Sequence, residues 1–176
     1  MFAQLDTKSV YSFMDSVVDL NSYVERAKEL GYQALGLMDR DNLYAAYHFA
    51  QLASRNGLRP LIGMEANLFY EGRKIPFRLL AKNNQGYKNL MKLATELSSG
   101  QREFTAFSDY LNAIALILPS EDWEPGMTLG SEVFIGVRPE DVGKEFDYPV
   151  VPLHTVRYFE NADRSTIQML HAISQN

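Results

Sequence analysis

Gln33-Ala34-Leu35-Gly36-Leu37-Met38-Asp39-Arg40-Asp41-Asn42 is the stretch on which the fold turns. Residues 34–37 are apolar at successive positions, so a strand from Gln33 to Met38 must be covered on both faces, as a parallel strand flanked by helices is. The polar run from Asp39 ends it abruptly. Upstream, the spacing predicts a helix from Asn21 to Leu30 with Leu20, Tyr23, Val24, Ala27 and Leu30 on one stripe. Ser22 and Glu25 have capping-box spacing there, and Gly31 supplies a left-handed stop. Downstream, a second helix from Asn42 to Asn56 turns Leu43, Ala46, Tyr47, Ala50 and Ala53 inward, with Asp41 as its N-cap and Gly57 closing it.

The same pattern extends to both ends of the chain. Phe2 to Thr7 reads as a short strand, as do Arg59 to Phe69 and, after a Glu71-Gly72 turn, Ile75 to Ala81, the one antiparallel pair expected. A helix from Gln85 to Ser98 carries Tyr87, Leu90, Met91, Ala94 and Leu97 on its inner stripe, and 100–109 reads as a polar surface loop. Strands at Ala113 to Leu118, Val133 to Val137 and Val150 to Leu153 follow, with a Pro/Gly-punctuated connection at 119–130 and a final helix from Asn161 to Ile173. Seven strands alternating with helices predict an α/β fold, either a layered sheet or a barrel of βα units, with any site at the carboxyl ends of the strands.

Composition sets the outer bounds. The 176 residues are 46% hydrophobic and 22% charged, which suits one globular domain over 1–176 and contains no run long enough for a membrane span. The first residues lack the basic and apolar segments of a secretory leader, and the absence of cysteine excludes disulfides and fits a cytoplasmic protein. A net charge of -5 opposes DNA binding by the chain alone. Lys82, Lys88 and Lys92 read as solvated helix-face residues.

At the strand ends, Gln4, Asp6 and Lys8 alternate and share a face, and Asp39, Arg40, Asp41, Glu65, His154, Thr155 and Arg157 converge on the same rim. His48 and His171 lie within helices and read as packing or surface residues; only His154 stands at a strand end. One histidine among Lys8, Arg40 and Arg157 is a poor basis for a transition-metal centre. Phosphate-binding glycine loops, a serine-nucleophile elbow and dinucleotide fingerprints are all missing, so no residue is assigned a catalytic, cofactor-binding or metal-binding role. Asp15 and Glu65 are the acidic residues of interest.

The run 2–15, Phe-Ala-Gln-Leu-Asp-Thr-Lys-Ser-Val-Tyr-Ser-Phe-Met-Asp, resembles the opening of the polymerase and histidinol phosphatase (PHP) domain at the amino terminus of bacterial DNA polymerase III alpha subunits, whose own version begins F-x-H-L-x-x-H-S-x-Y-S. The likeness continues through Ala27 to Gly31, Gly36 to Ala46 (similar to A-L-T-D-H-G-N-L-x-G-A), Pro60 to Glu65, and Leu79 to Leu90. It thins after residue 118 to the segment Pro149 to Tyr158, and 130–148 looks shorter than in relatives. The resemblance implies a distorted seven-stranded (βα)7 TIM-like barrel.

It also implies a metal-holding rim of histidines and carboxylates, yet the matching positions carry Gln4, Asp6 and Lys8 in the first cluster, Arg40 for one histidine, Pro76 for another, and His154, Thr155 and Arg157 for an asparagine, an aspartate and a histidine. Lys8, Arg40 and Arg157 are therefore expected to pair with Asp6, Asp15, Asp39 and Glu65 in place of a metal cluster. The implied role is a structural or interaction domain of a longer replicative DNA polymerase. Magnesium-dependent nucleotidyl transfer and DNA contact would belong to the rest of that chain, and a proofreading or other replisome protein would be the partner. Two alternatives stand: a metal-dependent phosphoesterase or 3'-5' proofreading exonuclease using His154, Glu65, Asp15 and Asp39, and a stand-alone protein binding an anion at Lys8 and Arg40.

Overall fold

The structure, a computed structural model, describes residues 3–130 and 132–174. Its strands are β1 (Ala3–Gln4), β2 (Asp6–Thr7), β3 (Ala34–Arg40), β4 (Arg59–Tyr70), β5 (Arg73–Ala81), β6 (Ile114–Pro119), β7 (Val133–Val137), β8 (Val150–Pro152) and β9 (Thr155–Val156). The helices are α1 (Leu20–Glu29), α2 (Ala46–Arg55), α3 (Asn84–Ser98) and α4 (Asp163–Ser174). Seven strands form one sheet in the order β1-β3-β4-β5-β6-β7-β8, and β2 pairs with β9 in parallel, Asp6 beside Thr155 and Thr7 beside Val156. Phe2, the first residue of the predicted opening strand, lies outside the described residues.

Period-two alternation gives each strand a helix-facing side and an inner side. Along β3, Leu35 and Leu37 pack on α1 and α2 with Tyr23, Val24, Phe49 and Ala53, while Met38 points the other way and meets Ile117 and Leu153. Those three residues belong to β3, to β6 and to the end of β8, which are not neighbours in the sheet, so the sheet must curl for them to touch. Along β4 and β5 the outer residues Met64, Ala66, Leu68, Ile75, Phe77 and Leu79 pack on α3 through Leu90, Leu93 and Leu97. Gly36 is required where the link between β1 and β2 passes: a Cβ there would lie 2.0 Å from the Leu5 carbonyl oxygen.

Several predicted details are corrected. The α1 cap is Asp19, whose carboxylate accepts from the Asn21 and Ser22 N–H groups at 2.9 and 3.2 Å, so the helix starts earlier than the Ser22/Glu25 box requires; Leu30 falls outside it and is exposed. Gly31 does adopt the left-handed conformation, φ +73°. Asp41 is not an N-cap. It holds φ +54°, and its carboxylate accepts from the Asn67 N–H and from Arg102, so 41–45 continue as a loop and α2 begins at Ala46. With that phase Phe49, three residues on, joins Ala46 and Ala53 on the inner face, and Tyr47 is turned outward.

Similarly Leu93, not Met91, lies in the α3 core. The expected loop at 100–109 contains a 3-10 helix, Phe104–Tyr110, whose three-residue repeat drives Phe104 and Phe107 together into the core against Phe77. The β4–β5 hairpin is antiparallel as expected, but β5 is antiparallel to β6 as well, because α3 runs back along the sheet to bring Arg102 beside Phe69 and the segment through the 3-10 helix then returns the chain to bring Ala113 beside Lys82.

Candidate functional site

The inner side of the curled sheet ends in a cluster of charged side chains. Asp6 and Lys8 turn inward from β2 and its exit, while Thr7 between them turns outward to bond with the Tyr23 hydroxyl at 2.9 Å. Glu65 comes from β4 and Arg78 from β5. Each lies between outward core residues, Met64 and Ala66 in one case, Phe77 and Leu79 in the other, so alternation forces both inward.

These four groups form a closed ring. The Lys8 ammonium, with no exposed surface, is 2.7 Å from Asp6 Oδ1 and 3.0 Å from Glu65 Oε2. Its third donor goes to the Met38 carbonyl at 2.7 Å, so all three N–H bonds of the ammonium have acceptors. Arg78 closes the ring from the other side, at 3.0 Å from Asp6 Oδ2 and 3.3 Å from Glu65 Oε2. The Thr155 hydroxyl adds a 2.6 Å bond to Asp6 Oδ2.

An outer arm continues from Glu65. Arg40 reaches Glu65 Oε1 at 3.0 Å and Asp15 Oδ2 at 2.7 Å. Asp15 also takes Arg157 at 3.1 Å and His171 Nε2 at 2.9 Å, both on Oδ1. The arm's cations are more exposed than the ring's, 41% for the Arg40 side chain and 44% for His171 against 0% for Lys8, while Asp15 between them stays buried. Asp39, though buried, pairs with no cation among the described residues: it accepts from the Ser9 N–H and from the Ser9 and Ser12 hydroxyls, each at 2.7 Å.

The electrostatics follow from this arrangement. Burial pushes the Asp6 pKa up, but Lys8 and Arg78 beside it, with the Lys8 and Thr155 hydrogen bonds, outweigh that and hold it at about 2. Glu65 is likewise raised by burial and held below its ordinary value by Lys8 and Arg78, against the repulsion of Asp6. Burial disfavours the Arg40 charge, yet the bond and charge of Glu65, with Asp15, keep its pKa above the usual one.

The expected pairing of Lys8, Arg40 and Arg157 with acidic rim residues is present, and the structure assigns Lys8 to Asp6 and Glu65, Arg40 to Asp15 and Glu65, and Arg157 to Asp15. Asp39 is the exception, its valences being met by hydroxyls from the loop at 9–12. Sequence reading missed Arg78 and His171. Arg78 was discoverable, because the outward set Ile75, Phe77 and Leu79 leaves Pro76, Arg78 and Leu80 facing in; Pro76 itself only lends its carbonyl to Arg78 at 2.6 Å. His171 left no such signal. His154 is exposed, its backbone carbonyl accepting from Gln4 Nε2 at 2.6 Å, and His48 is exposed on α2.

Lys88 and Lys92 are exposed on α3, as a solvated face requires, and Lys82 pairs with Glu132 beside a cavity of about 540 Å³ at the amino ends of β6 and β7. Among the described residues, no group of three or more His, Asp or Glu side chains is arranged to hold a metal ion. Among them, too, no helix is long and apolar enough to cross a membrane.

Comparisons with known proteins place this curled α/β sheet in a family. Residues 4–130 match the PHP domain family, and the chain belongs to it. Over its whole length it is 46% identical to the DNA polymerase III subunit alpha of Streptococcus pyogenes serotype M1, of which it spans 17%. It is 33% identical to the Bacillus subtilis subunit of the same name over 126 residues, 68% of this chain and 11% of that protein. A solved structure of an amidohydrolase from Chromobacterium violaceum overlaps 56% of this chain and 34% of its own with a TM-score of 0.47 and 19% identity.

Proposed function

We propose that this chain is the amino-terminal PHP module of a bacterial replicative DNA polymerase III alpha subunit, acting there as a scaffold and not as a catalyst. The β2–β9 pair supports closure of its sheet into a distorted (βα)7 barrel, since β2 follows the first strand of the sheet and β9 the last. The observation that carries the reading is the Lys8 ammonium. It stands among Asp6, Glu65 and the Met38 carbonyl, three oxygens at 2.7–3.0 Å that a cation at this spot would need. With Arg78 and Arg40 on the same carboxylates, the side chains present do not fit a metal centre, because a second cation would meet uncompensated repulsion.

On this reading, magnesium-dependent nucleotidyl transfer and DNA binding belong to the remainder of a longer chain. The module's partners are that remainder and a proofreading or other replisome protein, in the cytoplasm. Elemental analysis of the protein purified without chelator tests the scaffold role: zinc, manganese and iron are expected far below one equivalent per chain, and stoichiometric amounts of any of them would overturn it.

A further inference from the structure

The segment after β8 is joined to the rest of the molecule in an uneven way. Its strand, β9, has only two paired residues, continued by the Lys8 N–H on the Val156 carbonyl at 2.9 Å and the Val17 N–H on the Arg157 carbonyl at 3.1 Å. Its helix, α4, buries one residue of twelve, Ile167, whereas α1 buries four of ten and α3 five of fifteen. Met169 and Ile173 of α4 are exposed. Apolar anchorage is therefore thin: beyond Ile167 it rests on partly buried residues such as Val156 and Phe159, whose ring stacks on Tyr23 at 6.2 Å.

Polar anchorage is concentrated instead. Asp15, in the loop between β2 and α1, receives Arg157 from the exit of β9 and His171 from α4, while its other oxygen takes Arg40 from the end of β3. The adjacent Ser16 hydroxyl bonds the Arg157 carbonyl at 3.0 Å. One carboxylate thus fastens two separate parts of this segment to β3, the strand next to β1 at the other side of the sheet.

We infer that residues 154–174 form a strap that opens as a unit while the rest of the sheet stays folded, and that Asp15 is its latch. Segments with few buried apolar groups exchange their amide protons through local opening well below the free energy of global unfolding. Here the body, β4 to β6 with α3, rests on a core of fully buried residues from Met64 to Leu118, while the strap does not. Opening breaks the β2–β9 pair, the Thr155 bonds to Asp6 and Arg78 and the Asp15 contacts to Arg157 and His171, but leaves the Asp15–Arg40 pair and the Lys8–Asp6–Arg78–Glu65 ring intact, because every member of these lies outside the strap.

Hydrogen exchange followed by mass spectrometry on the intact protein tests this. Asp15→Asn is expected to speed exchange about tenfold or more across 154–174, the loss of charge-assisted bonds being felt by that unit alone, with β4 to β6 unchanged. His171→Ala, on a half-exposed residue, is expected to speed exchange across 154–174 by a smaller factor, again with β4 to β6 unchanged. Uniform acceleration over the whole chain in Asp15→Asn, or in His171→Ala either unchanged exchange of 154–174 or acceleration confined to 163–174, overturns the inference. Should Asp15→Asn fail to fold, the His171→Ala result decides by itself.

Discussion

Lys8 and its partners show what a buried charge requires at the scale of one residue. An ammonium without solvent is tolerable only when each donor has an acceptor and its charge has a counter-charge, and Asp6, Glu65 and Met38 meet both conditions. Replacing Lys8 by methionine keeps most of the volume but leaves two carboxylates with less positive charge between them. Lys8→Met is expected to lower the unfolding free energy by about 3–5 kcal/mol, read from urea denaturation at pH 7. A loss below about 1 kcal/mol, the range of surface pairs, would mean the ring is not coupled as described.

The acidic members of the ring also set an acid limit. Asp6 and Glu65 bind protons less readily in the folded chain than in the unfolded one, so their contribution is complete above the ordinary carboxylate range. It is lost as pH falls from the unfolded Asp value, 3.8, towards the folded value of about 2. Thermal midpoints are expected to be flat from pH 7 to about 5 and to fall steeply below about 4. A midpoint unchanged down to pH 3 would refute the assignment. The pairing of Lys8, Arg40 and Arg157 with acidic neighbours was legible in the sequence because alternation along β2 and the shared strand ends placed them together. Which carboxylate takes which cation was not, since that depends on distances of an ångström between strands far apart in sequence.

Among the elements, α1 and α2 separate what local pattern fixes from what it leaves open. The stripe Leu20, Tyr23, Val24 and Ala27 is read correctly because burial follows the 3.6-residue repeat. The cap is not, because several polar residues precede the first turn and only the chain's approach to the helix selects Asp19 over Ser22. Asp19→Ala is expected to cost about 1 kcal/mol and Ser22→Ala about half that or less, a pair of equilibrium unfolding measurements that would contradict the cap if their order were reversed. For α2, the left-handed residue Asp41 and its bonds to Asn67 and Arg102 delay the start, which moves Phe49 inward. Neither partner of Asp41 is near it in sequence.

Taken whole, the molecule combines a net charge of -5 with rim cations that are already spent on carboxylates. Association of the isolated chain with duplex DNA is therefore expected to be weaker than about 10 µM at 150 mM salt by fluorescence anisotropy, within or beyond the non-specific range. Tighter binding would require a basic surface that the ion pairs leave no room for at the rim.

Local pattern in the sequence established the α/β class, the seven strands of the main sheet, most element positions and the family, but not that the opening strand divides into β1 and β2 or that β9 exists; what was legible rests on hydrophobic period and on residue blocks that each lie within a few turns or strands. Only the tertiary structure decided that Met38, Ile117 and Leu153 meet inside a curled sheet, that β5 runs antiparallel to both neighbours, and that Phe104 and Phe107 enter the core from a polar stretch. It alone joined Arg78 to Lys8 across two carboxylates and brought His171 to Asp15, 156 positions away. Charges attract according to separation in space, and chain curvature, which no local pattern encodes, sets that separation.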